Sequence, residues 1–152
     1  MFRARMLLLC PLLVGALLIP AGSATAGPPA RAVMIAGIND FRAGQGLSRL
    51  QASRSLNRSA VAYARALMRT GRFAHSSRGI RASRRFAVLG EVLEIHRGRP
   101  ARVRRALRTW KRSDGHRSVL LSRNIRYVGA GYVRGRFRGH NAGIWVVQVG
   151  RL

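Results

Sequence analysis

From residue 32 to residue 149, six patterned segments follow in the order helix, helix, strand, helix, strand, strand, and the crossovers between them are short. That order limits the fold more than any other feature. Parallel neighbours need long crossovers, so short ones predict a small, mostly antiparallel sheet with helices packed on its faces, an α+β arrangement. At 152 residues the chain holds one such domain and can bury a core without disulfides.

The segments are read from apolar spacing and from stop signals. A first helix is expected over Ala32 to Ala43, with Val33, Ile35 and Ile38 towards the core, ended by Gly44-Gln45-Gly46, after which Leu47 and Leu50 turn back inwards. Ser53 is placed to cap a second helix that runs to about Thr70, before Gly71. Leu56, Ala60, Tyr63, Ala64 and Leu67 share its apolar face, and Arg54, Arg58, Arg65 and Arg69 lie opposite. Gly71 to Arg85 reads as a loop and Phe86 to His96 as a strand. A third helix is expected from about Pro100, with Val103, Ala106, Leu107 and Trp110 buried. His116 to Ser122 reads as a short helical turn. Tyr127 to Val133 and Ile144 to Val149 read as strands joined through a glycine-containing connection, Arg134 to Gly143.

Charge narrows the function classes. The chain has 29 Lys and Arg, all but one arginine, against four carboxylates: Asp40, Glu91, Glu94 and Asp114. Such an excess favours polyanions, whether nucleic acid, anionic lipid or acidic wall polymer. The densest basic face is on the third helix. At 100° per residue, Arg104, Arg105, Arg108, Lys111 and Arg112 span about 120°. The plain reading of such a face is solvation; the functional one is adhesion to anionic envelope polymers or lipids.

The first 26 residues read as a secretory signal: Arg3 and Arg5, an apolar run from Met6 to Ile19, then Ala24-Thr25-Ala26 as cleavage site. Residues 27–32 form a short lead and residues 33–152 the domain. The apolar run is short for a membrane span, so no transmembrane segment is expected after cleavage; an uncleaved anchor is the alternative. Cleavage removes Cys10 and leaves 27 basic against 4 acidic residues, a net charge of +23. An exported chain meets envelope polymers before DNA, which sets nucleic acid aside as a partner.

Chemistry-bearing residues are few. Glu91 sits in an apolar run, where a carboxylate needs a partner. Ser113-Asp114-Gly115-His116-Arg117 presents a histidine from a small turn, and His75 lies in Phe73-Ala74-His75-Ser76. His96 and His140 complete the histidines. No phosphate loop, dinucleotide fingerprint, HExxH helix, or Ser/His/Asp or Cys/His arrangement is present.

Taken in order, these motifs resemble the CAP superfamily, or SCP domain, which includes cysteine-rich secretory proteins, venom antigen 5, plant pathogenesis-related proteins and secreted bacterial proteins. Ile38-Asn39-x-x-Arg42-x-x-x-Gly46-Leu47-x-x-Leu50 resembles its opening helix and turn, and Tyr63-Ala64-x-x-Leu67 its second helix. Phe73-Ala74-His75-Ser76 resembles the segment of its first site histidine, Gly90-Glu91-Val92 its Gly-Glu-Asn strand, and Trp110-x-x-Ser113-x-Gly115-His116-Arg117 its second histidine signature. Val128-Gly129-Ala130-Gly131-Tyr132 and Trp145-Val146-Val147-Gln148-Val149 resemble the closing strands.

The resemblance implies a three-layer α-β-α sandwich with a cleft holding two histidines and two acidic residues. His75, His116 and Glu91 carry over. The second carboxylate does not, because Arg78 to Leu89 contains none, and Val92 replaces the asparagine. Glu94 does not substitute for it, since an i, i+3 residue on a strand faces the other side. Three readings of the trio follow. It holds a divalent metal, zinc above all; it works without metal, with Glu91 as general base of a peptidase-like hydrolase; or it is a polar cluster that ties loops in a non-catalytic binding domain.

Overall fold

The computed structural model describes residues 29–76, 86–98 and 100–152. The expected signal sequence, the loop residues 77–85 and Arg99 lie outside the described residues. Helix α1 covers Ala30–Ala43, strand β1 Gln51–Ala52, helix α2 Arg54–Thr70, and strand β2 Val88–Arg97. Helices α3 and α4 follow at Val103–Arg112 and Asp114–Leu120, and strands β3 and β4 at Tyr127–Phe137 and His140–Arg151. The strands form one sheet in the order β1-β3-β4-β2. β4 is antiparallel to both of its neighbours, and β1 runs parallel to β3.

Side chains alternate across the sheet and divide the core into two layers. On one face, Leu93, Ile144 and Val146 meet Ala60, Ala64 and Leu67 of α2. On the other, Val92, Val128, Ala130, Trp145, Val147 and Val149 meet Met34 and Ile38 of α1, Ala106 and Trp110 of α3, and Leu120 of α4. The result is the α-β-α sandwich expected. The two layers are packed differently. Gly129 and Gly131 of β3 point at α2, and a Cβ on either would lie about 2.3–2.4 Å from helix backbone atoms of Leu56, Asn57 or Val61. The helix therefore rests on the strand with no side chain between them.

Polar ties fix the ends of the elements. Ser53 Oγ accepts from Leu56 N at the start of α2, and Gly71 closes the helix at φ 64°. The buried Arg42 guanidinium donates to the carbonyls of Ser48 (2.9 Å), Leu120 (2.7 Å) and Ser122 (2.9 Å), joining the end of α1 to the end of α4. Trp110 Nε1 donates to Leu93 O at 2.9 Å and pins α3 to β2.

Several expectations are corrected. Val33 is 41% exposed, and Met34 and Ile38 carry the inward face of α1. α3 begins at Val103, with Arg102 as its N-cap, so Pro100 precedes the helix. Arg134–Phe137 and His140–Gly143 are ladder residues, and the connection is only Arg138-Gly139, both at positive φ (47° and 83°) as a two-residue type I′ turn requires. Strand β1 was not expected. Its two residues are held by backbone bonds, Gln51 N to Arg126 O and Ser53 N to Val128 O, each 2.8 Å.

Candidate functional site

Glu91 is the centre of the expected trio. It stands on the α2 face of β2, directly opposite Gln148 of β4. Its side chain is 6% exposed and both oxygens are engaged. Oε2 accepts from Gln148 Nε2 at 2.9 Å. Oε1 faces His75 Nδ1 at 3.2 Å and accepts from Ser76 N at 3.3 Å. The backbone that carries His75 is held by Tyr63 of α2, whose hydroxyl donates to Ala74 O at 2.7 Å. Burial, and then the Glu91 charge, raise the Tyr63 pKa above 10.0 and keep that proton in place.

His116 lies on α4, one turn before Val119, which packs where a Cβ on Gly90 of β2 would fall. Its Nδ1 is buried and has no hydrogen-bond partner among the described residues. Burial, and then the charge of His75, lower its pKa below 6.5, so the neutral ring is favoured. The three residues thus gather around β2, with His75 bonded to Glu91 and His116 within reach of the His75 charge. Among the described residues no three His, Cys, Asp or Glu side chains are grouped to hold an ion. The His75 nitrogen that faces Glu91, and both Glu91 oxygens, already have partners. Sequence reasoning misses Gln148 as a site residue; its position opposite Glu91 follows only from strand register.

A second polar cluster was not expected. Glu94 and His96 face α3, away from Glu91, as alternation requires. His96 Nδ1 lies 2.8 Å from Glu94 Oε2, with the two side chains 0% and 4% exposed. His96 Nε2 lies 2.7 Å from the Pro100 carbonyl, which can only accept, so Nε2 carries a hydrogen. Glu94 Oε1 accepts from Arg105 Nε at 3.3 Å. The ring stacks on Tyr132, centroids 6.0 Å apart, and Tyr132 leans on Trp145 at 4.8 Å. Trp145 Nε1 donates to Ala101 O, so His96 and Trp145 together fix the segment that enters α3.

Arg104, Arg105, Arg108, Lys111 and Arg112 are all exposed on α3. Two of the five have partners: Arg105 has Glu94, and the Lys111 ammonium sits 4.9 Å above the Phe41 ring. Among the described residues no carboxylate pairs with Arg104, Arg108 or Arg112. A recess of about 410 Å³ runs between Arg105, Arg108 and Arg112.

The family model of the cysteine-rich secretory protein family, CAP, matches residues 35–149. The chain belongs to the CAP family. This CAP domain also shares its fold with solved structures. One is an outer surface protein from Borrelia burgdorferi, 20% identical, TM-score 0.65, over 79% of this chain and 90% of that one. Another is an extracellular protein containing an SCP domain from Bacillus anthracis, 19% identical, TM-score 0.66, over 81% of this chain and 40% of that one. A third is the venom allergen-like protein 4 of Schistosoma mansoni, 14% identical, TM-score 0.62, over 82% and 89%. Among curated proteins, none matches this sequence. Among the described residues of the CAP domain, no helix is long and apolar enough to cross a membrane.

Proposed function

We propose that this CAP domain is an exported, non-catalytic binding module that adheres to anionic envelope polymers or lipid head groups through α3. The observation that carries the reading is the set of three exposed guanidinium groups, Arg104, Arg108 and Arg112, that have no carboxylate partner among the described residues, on a helix anchored from behind by Ala106 and Trp110. Arginine suits phosphate because its planar fork donates two hydrogen bonds at once. Export rests on the signal pattern of residues 1–26 and agrees with the outer-surface and extracellular descriptions of the structural neighbours. On this reading Glu91 is a tie. It fastens the chain after α2 to the sheet through His75, Ser76 and Gln148.

The test is retention of the mature chain on vesicles containing phosphatidylglycerol. At about 1 kcal/mol per cation near the surface, changing Arg104, Arg108 and Arg112 to Gln removes about 3 kcal/mol, or roughly a hundredfold in affinity. A control with Arg54, Arg58 and Arg65 changed to Gln retains binding. Equal losses in both variants would reduce the effect to net charge and refute the reading.

A second reading has one observation behind it, the buried Nδ1 of His116, which has no partner among the described residues. A divalent ion such as zinc, held by His75, His116 and Glu91, would use that nitrogen once His75 released Glu91; a hydrolase with Glu91 as general base would need the same release.

A further inference from the structure

We propose that the recess where β2, the start of α3 and the β3–β4 turn meet binds a phosphate group carried on a small organic ligand. The recess measures about 520 Å³ and is lined by Arg97, Arg102, Arg105, Arg138, His140 and Asn141 over an apolar floor of Ile95 and Phe137. It is separate from the Glu91 cluster: His96 at its base lies five residues along β2 from Glu91, about 17 Å at strand rise.

Three independent features converge there. The first is charge. Four arginines face one recess, and among the described residues no carboxylate pairs with Arg97, Arg102 or Arg138. Glu94, which meets Arg105, is buried against His96.

The second feature is backbone strain. Among the described residues only two non-glycine residues have positive φ, Arg102 at 41° and Arg138 at 47°, and both line this recess. Glycine or asparagine suits such positions, and an arginine held there is strained. Strain of this kind persists where the surrounding structure imposes it, and it gathers at ligand clamps. Arg102 follows a segment pinned by His96 and Trp145. Arg138 donates from Nε to Gly71 O at 2.7 Å and lies over the Phe137 ring, 5.6 Å from its centroid.

The third feature is the start of α3. Its N-cap is Arg102, no side chain caps it, and its first turn has no acidic residue. Cations thus crowd the end of the helix that carries its own partial positive charge, where free N–H groups favour an anion. A phosphate group answers all three features. It neutralises the arginines, accepts bidentate bonds from several forks, and complements the helix start. The apolar floor takes the organic part of the ligand.

Isothermal titration calorimetry of the mature chain in low salt, with inorganic phosphate and then glycerol 3-phosphate, tests the site. Both probes are expected to bind, and Arg97→Gln and Arg102→Gly are each expected to weaken them about tenfold, the loss of one charge-assisted hydrogen bond. Arg102→Gly has a second signature. It relieves the strained φ, so without phosphate it raises the thermal midpoint by roughly 2 to 4 °C, whereas loss of a merely structural arginine lowers it. The pair Arg54→Gln and Arg58→Gln on α2, outside both the recess and the α3 face, leaves both isotherms unchanged. Vesicles of phosphatidylglycerol separate the sources: lost retention in Arg97→Gln and Arg102→Gly marks a lipid head group, and unchanged retention marks a soluble phosphate ester. Absence of heat with both probes, or wild-type affinity in both single variants, overturns the inference. That outcome leaves the α3 face standing if its own vesicle test succeeds, so the two proposals fail separately.

Discussion

Replacing Glu94 by Ala should clearly destabilise this domain. The residue contacts His96 and Arg105, which line the arginine-rich recess, and its carboxylate faces a fully buried imidazole on one side and a half-exposed guanidinium on the other. The two contacts differ in weight. Arg105 is 54% exposed, so water screens the pair and it contributes at most about 1 kcal/mol. The His96 side chain is not exposed at all, and removing Glu94 leaves its buried Nδ1 without that hydrogen-bond partner. Leaving a buried polar group unsatisfied in this way costs about 1 to 3 kcal/mol. At about 4 °C per kcal/mol for a domain of this size, the thermal midpoint should fall by roughly 4 to 12 °C. Urea unfolding followed by tryptophan fluorescence is the assay, because Trp110 and Trp145 are both buried in the core and Trp145 leans on Tyr132, which stacks on the ring. Glu94→Gln, which keeps the shape and a hydrogen-bonding end, should recover much of the loss, and Arg105→Gln alone should cost little. The double variant with His96→Ala should cost clearly less than the sum of the singles. A Glu94→Ala cost below about 1 kcal/mol, or strict additivity in the double variant, would refute the role given to this buried contact.

His116 makes stability depend on pH. Its folded pKa lies below 6.5, so the unfolded chain takes up a proton that the folded chain refuses. Stability is therefore unaffected by this group above about pH 6.5 and declines as pH falls from there through the folded pKa; His116→Gln should flatten that part of a urea-midpoint profile, and identical profiles would count against it. Calorimetry with zinc decides the second reading of the His75 cluster. A zinc site there gives heat that disappears in the His75→Ala, His116→Ala double variant and weakens on acidification below about pH 6.5; the same isotherm in both proteins rules it out.

The parts of the fold that are legible in the sequence are those with local chemical causes. Ser53 and Gly71 bracket α2 because one caps with a hydroxyl and the other adopts a left-handed turn. Strand alternation alone puts Glu91 and Glu94 on opposite faces, whatever their contacts. What stays hidden depends on distant partners. β1 is two residues long and exists only because its backbone meets β3. The β3–β4 turn reads too long in the sequence, since Arg138 carries none of the usual left-handed preference and the ladder beside it is rich in arginine and glycine. Gln148 and His96 give no local signal at all. One gains meaning from its register with Glu91, the other from Pro100 folding back over it.

The bare glycine face of β3 has a mechanical consequence. With the backbone of α2 seated on Gly129 and Gly131, the helix cannot slide or roll along the sheet without colliding with it. α2 and β3 move as one plate, and sequence drift is barred at two positions where even a methyl group would lift that plate apart. Compliance, if the domain has any, belongs to the opposite layer. There α1, α3 and α4 meet the sheet through interlocked side chains, which can repack in small steps.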